Sequence, residues 1–227
     1  VTTDPIVCLH GITSSRTTWG GLVLAAKPLG TDPHCLTLLG HGPVGERRRA
    51  DGYCLEAFVA DVMAQINRLG LQRFQLVGHS LGAHVASMIA ERFPQRVSRL
   101  VLEELPVPAR SRADSGPVYH RWSGALIKVG ALSGYRRFDP VMVSRVLDQL
   151  GRPRPQWWRD LGRITMPVLM IAGGTDSYLD QTRFALVAAE LPDVRLVEID
   201  GGHRVHITRQ EEFLAEVVPF LLGPTQD

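Results

Sequence analysis

Apolar residues along the chain fall into two recurring patterns, and their alternation predicts the architecture. Six short runs rich in β-branched residues or Leu, at 5–9, 35–39, 73–77, 99–103, 168–172 and 195–199, read as strands buried on both faces. Between them, apolar residues recur at helical spacing. Leu55, Phe58, Val59, Val62, Ile66 and Leu69 form one such stripe, Phe184, Val187, Ala188 and Leu191 a second, and Phe213, Val217, Phe220 and Leu221 a third. Strand and helix in repeated succession predict an α/β fold, a mostly parallel sheet flanked by helices on both faces. The succession breaks once. Residues 105–161 are dense in aromatic, Arg and Pro residues and read as a helical cap leaving the carboxyl end of a strand, inserted in a core domain made of residues 1–104 and 162–227. Ligands of open parallel sheets bind beyond those strand ends, so an insertion there is placed to cover a site.

Composition narrows the class. The chain has 227 residues, 44% hydrophobic and 21% charged, which suits one domain with a continuous core. Its formal net charge of +2 asks for neither nucleic acid nor an anionic membrane as partner. Cys8, Cys35 and Cys54 are too few and too scattered for a disulfide framework and read as free thiols. No apolar run approaches the roughly 20 residues of a membrane span, and the first residues lack the basic-then-apolar pattern of a signal peptide, so the cytoplasm is the expected compartment.

The strongest chemical signal is Gly78-His79-Ser80-Leu81-Gly82, directly after the 73–77 strand and opening a helical run to Phe93. A G-x-S-x-G turn between strand and helix lifts the serine hydroxyl out at the sheet's edge, at the positive end of a helix. A serine is a poor nucleophile at neutral pH unless a base, itself oriented by a third group, takes its proton. In the required order, Asp176 follows the 168–172 strand in a Gly-Gly-Thr-Asp turn, and His203 follows the last strand in Asp-Gly-Gly-His. Ser80, Asp176 and His203 are therefore the candidate triad, with Glu103 and Glu104, at the end of the 99–103 strand, as reserve acids.

These residues, with Leu9-His10-Gly11 and Gly40-His41-Gly42, stand in the order and at the intervals of the α/β-hydrolase superfamily, which the sequence resembles over nearly its whole length. The resemblance implies that the backbone amides of Ile12 and Leu81 form the oxyanion hole, and that no metal or organic cofactor is needed. It also implies a strand hairpin before the first strand, for which a sequence starting almost at Pro5 has no residues.

The chemistry expected is hydrolysis of an ester, thioester or lactone of a small to medium acyl substrate through an acyl-enzyme. An acyltransferase, a carbon–carbon bond hydrolase or a lyase would show the same motifs, and the fold also serves non-catalytic ligand receptors. His10 and His41, in glycine turns, are expected to brace loops, and His79 to point away from substrate. His84, Trp122, Trp157 and Trp158 are candidate substrate contacts, packing of the cap explaining the tryptophans equally well. The 105–161 segment carries ten basic and four acidic residues, net +6. That charge would suit an anionic or carrier-bound substrate, or be a solvated face. Oligomeric state is not legible.

Overall fold

The computed structural model describes residues 3–42, 50–114, 118, 127 and 137–223. Six strands, β1 (Ile6–Leu9), β2 (His34–Leu36), β3 (Phe74–His79), β4 (Val97–Glu103), β5 (Val168–Ala172) and β6 (Val194–Glu198), form one sheet in the order β2-β1-β3-β4-β5-β6. Every pairing is parallel. All six strands fall where the apolar runs predict them, with ends displaced by up to three residues, most at β2, which stops at Leu36. The runs of β1, β3, β4 and β5 are continuous because neither face meets water, alternate residues entering two separate cores, whereas the edge strand β6 is largely exposed. Val7, Leu9, Phe74, Leu76, Leu100, Leu102 and Met170 enter the larger core, and Ile6, Cys8, Val77, Val101, Leu169 and Ile171 the smaller.

Helices supply the other half of each core. α1 (Gly20–Ala26) and α8 (Gln210–Leu222) cover the smaller one, contributing Leu22, Phe213, Val217 and Leu221. α2 (Leu55–Arg68), α3 (Leu81–Arg92) and α6 (Thr182–Ala188) cover the larger. The stripe predicted on α2 is buried from Leu55 to Ile66, whereas Leu69 lies past the helix end and is 44% exposed. A short α7 (Val205–Thr208) precedes α8. Cys8 and Cys35 are in register on neighbouring strands, and all three cysteines are free.

Between β4 and β5, where the sequence predicts helices, lie α4 (Pro140–Leu150) and α5 (Pro155–Asp160). The Asp139 side chain caps α4 by accepting the Val141 N–H at 3.0 Å, and Pro140 occupies the first turn, where a missing N–H costs nothing. Asp139 also accepts the Tyr53 hydroxyl at 2.7 Å and donates its own N–H to Gly40 O at 2.8 Å. The start of α4 is thereby fixed to the loop after β2. No helix among the described residues is long and apolar enough to cross a membrane.

Candidate active site

Parallel strands deliver their carboxyl ends to one edge, and the candidate residues gather there. Ser80 sits between β3 and α3 with φ 52° and ψ −117°, a conformation that side chains rarely adopt. The turn is held by its Ser80 N–H, which donates to Glu103 O at 3.0 Å, and by the His84 N–H donating to Ser80 O at 3.0 Å. It also presses against the end of β1, so that a Cβ on Gly82 would stand 2.2 Å from Leu9 O; only glycine fits. The next residues of that β1 loop approach the nucleophile itself. A Cβ on Gly11 would lie 3.2 Å from Ser80 Cβ, which puts the Gly11–Ile12 peptide beside Ser80. Leu81, the first residue of α3, has one of the N–H groups a helix leaves unpaired at its start.

His203 stands in the turn after β6, 10% of its side chain exposed. Its Nδ1–H donates to Glu104 Oε2 at 3.0 Å, leaving Nε2 as the basic nitrogen. The Tyr178 ring lies against the imidazole, centroids 4.1 Å apart, and His79 Nε2–H donates to the His203 carbonyl at 2.6 Å. The nucleophile turn and the histidine turn are thus joined one residue before Ser80.

The carboxylate on His203 is Glu104, and this corrects the expectation for Asp176. Asp176 is in the predicted turn but its side chain is exposed, while Glu104 is wholly buried. Glu104 has φ 51°, and that bend past the end of β4 turns its side chain towards His203. Three donors converge on it: Gly173 N–H on Oε1 at 2.6 Å, and the Ser177 hydroxyl and His203 Nδ1–H on Oε2. A buried carboxylate supplied this way is both compensated and fixed in direction. The sequence signal was the Glu103-Glu104 pair; its second member is the one that serves.

Glu103 makes a second pairing on the opposite side of β4. Its carboxylate accepts from His206 Nδ1–H at 2.7 Å and from the His206 backbone N–H at 2.9 Å. His206 Nε2 meets Thr18 Oγ1 at 2.7 Å, and Trp19 lies on the ring with centroids 4.8 Å apart. His79, Glu103 and His206 bring potential metal-ligand atoms within 4.8 Å of one another. Hydrogen bonds already engage both nitrogens of His206, the Glu103 carboxylate and Nε2 of His79.

Three further histidines, His10, His41 and His84, are structural. His10 Nδ1–H donates to Gly11 O at 2.8 Å and Nε2 accepts the Leu38 N–H at 3.2 Å. His41 Nδ1–H donates to Leu39 O at 3.1 Å and Nε2 accepts the Thr13 N–H at 3.1 Å. Both brace loops, as the sequence suggested. His84 is buried under α3 with Nδ1–H on Pro106 O at 3.2 Å. Trp157 donates to Ser87 Oγ at 2.9 Å and Trp158 to Pro108 O at 2.8 Å, with Arg110 over the Trp158 ring. At 0%, 3% and 6% exposure these three residues pack residues 106–110 and α5 against α3, so the structure does not offer them to a ligand. Trp122 lies outside the described residues.

Burial holds these imidazoles neutral: His10 falls from 6.5 to about 4, and His41 and His84 to about 3. Unfolded, each would take up a proton near 6.5, so the stability they confer is complete above that pH and is lost as pH falls towards 4. Each contributes a slope of about 1.4 kcal/mol per pH unit. Glu91 acts oppositely. Desolvation, aided by Asp160, raises it from 4.5 to about 8, so its contribution is lost as pH rises through that interval. With His79, which burial also holds well below 6.5, four imidazoles outweigh one carboxyl below pH 6.5, and from there to about pH 8 the loss at Glu91 dominates. Urea unfolding followed across pH should therefore show a maximum near pH 6.5 with a steep acid side; a flat profile from 7 to 5 would refute the assignment of neutral histidines.

Comparison with known proteins agrees with this architecture. A Bacillus subtilis protein that carries the provisional name 2-succinyl-6-hydroxy-2,4-cyclohexadiene-1-carboxylate synthase is 26% identical, over 96% of this chain and 90% of its own. N-formylmaleamate deformylase of Pseudomonas putida is 25% identical over 96% and 89%. Among solved structures, a bromoperoxidase from Bacillus anthracis superposes with a TM-score of 0.81 at 19% identity, over 97% of this chain and 92% of the other. The model of the alpha/beta hydrolase family matches residues 6–217, so with its parallel sheet and strained serine turn the chain belongs to that family.

Proposed function

We propose that the protein is a serine hydrolase acting on carboxylic esters or thioesters, with Ser80 as nucleophile, His203 as general base and Glu104 as the acid that orients it. One observation carries the reading: His203 is held by a three-donor carboxylate and stapled to the strained turn that presents Ser80. Nε2 of His203 takes the Ser80 proton as Oγ attacks the carbonyl carbon. The resulting oxyanion is received by the amides of Ile12 and Leu81, each such donor being worth about 3 kcal/mol in the transition state. The proton on His203 then passes to the leaving alcohol or thiol, and water repeats the sequence in reverse to free the acid. No metal or organic cofactor enters these steps. Glu104 stays ionised throughout; it fixes the tautomer and stabilises the imidazolium. Within the predicted cap, α4 is the described element fixed at its start to the loop after β2, through Asp139 on Gly40 and Tyr53.

The test is stoichiometric labelling with a neutral fluorophosphonate, followed by turnover of p-nitrophenyl esters and acyl thioesters of increasing length. One equivalent on Ser80, none on Ser80→Ala, and turnover lost with it is the expected result. Folded wild-type protein that neither labels nor turns over would leave a ligand receptor as the better reading.

A further inference from the structure

Along the loop after β1, whose Gly11 stands against Ser80, lies a cavity of about 760 Å³ whose chemistry the acyl-enzyme mechanism does not use. Its floor is the run from Thr13 to Thr18, which begins one residue after Ile12, and its walls are Thr37, His41, Gly42 and Arg137. Two features set its preference. Arg16 and Arg137 bring two guanidinium groups to one cavity, both exposed, and neither forms an ion pair with a described residue. Among the described residues the remaining polar lining consists of hydroxyls, such as Ser14, Thr17 and Thr37, together with a histidine that burial keeps neutral, and no described carboxylate lines it. His41 is already bonded at both ring nitrogens, so it shapes the wall and leaves ligand contact to the arginines and hydroxyls.

We infer that this cavity is an anion subsite, and that the physiological substrate is an ester or thioester whose acyl or leaving group carries a carboxylate or phosphate. Guanidinium groups match both oxyacids through paired N–H donors, and hydroxyls complete their coordination. The loop after β1 is shared: Gly11 at its start stands against Ser80, while residues from Thr13 onward line the cavity. Neither Ser80 nor His203 lines this cavity, so an anion seated there orients the rest of the substrate with respect to Ser80 without contacting the reacting carbonyl. This inference concerns the same site as the serine mechanism and rests on it for the word substrate, but anion binding is measurable without turnover.

The experiment therefore has two readouts. Calorimetric titration of Ser80→Ala protein with monomethyl glutarate and with ethyl phosphate reads binding alone, and the tighter of the two identifies the source of the anion. Binding should weaken about tenfold when Arg16→Ala or Arg137→Ala is added, and should fall as ionic strength rises. In the active enzyme, the ratio of kcat/KM for the p-nitrophenyl half-ester of glutarate to that for p-nitrophenyl butyrate should exceed one and drop about tenfold in each arginine variant, thermal unfolding serving as the check on folding. Failure of both anions to bind, or binding and a ratio that survive both substitutions, overturns the anion subsite. Loss of fluorophosphonate labelling with anion binding intact would instead overturn the serine mechanism and leave the subsite standing.

Discussion

Glu104→Gln should lower kcat by about 10⁴-fold with little change in KM, while Asp176→Asn stays within about threefold of wild type. The size follows from the donors around the carboxylate. Gln is isosteric, yet its amide places one acceptor and one NH₂ where Glu104 offers two acceptors. With the amide oxygen towards Ser177 and His203, the NH₂ group faces the Gly173 N–H, 2.6 Å from the present Oε1. With the oxygen towards Gly173, the NH₂ faces His203 Nδ1 and drives the proton to Nε2, where it can no longer accept from Ser80. Ser177 cannot relieve the conflict freely, because its Oγ also accepts the Leu179 N–H at 3.1 Å. Steady-state kinetics on the best ester found in the length series decides between the two acids. Comparable losses in both variants, or a larger one in Asp176→Asn, would return the role to Asp176.

The second large effect concerns stability. His206→Ala removes the side chain that faces Glu103, whose carboxylate is 0% exposed and would keep only the His206 backbone N–H. Breaking one side of a buried pair costs roughly 3–5 kcal/mol, which in a chain of this length lowers Tm by roughly 6–20 °C. The contact with Trp19 and the hydrogen bond to Thr18 are lost as well. Replacing both partners, as Glu103→Leu with His206→Leu, leaves no unpaired buried charge and should restore more than half of the loss. Calorimetry on the three proteins distinguishes a pair that stabilises from one that merely fills space; a single variant melting within 2 °C of wild type would remove Glu103–His206 as a structural clamp.

How legible was all this? The four inner strands are legible because each is buried on two faces, which leaves a continuous apolar run that few other environments produce; the edge strand β6 keeps a weaker run, with Arg195, Leu196 and Glu198 exposed. The serine turn was legible for a steric reason: glycine at 78 and 82 on either side of Ser80, between a strand and a helix, answers a backbone too crowded for any Cβ. The carboxylate that holds His203 was not. Asp176 and Glu104 both follow strands at the same sheet edge, and what separates them is a positive φ at Glu104 and the inward reach of Gly173 and Ser177, none of which has a signature in residue type. Trp157 and Trp158 pose the same difficulty. An indole lining a pocket and an indole packing a helix read alike until its N–H is seen on Ser87 or on Pro108.

Glu103 and Glu104 show how a strand's two-residue period can divide labour. Neighbouring side chains leave β4 on opposite sides, so one holds His206 and the other His203, and the two histidines are three residues apart on a single turn. That turn is gripped from both sides of the sheet. A second carboxylate, Asp176, stands exposed four residues past the end of β5, so two neighbouring strands each bring an acid to the edge where His203 lies.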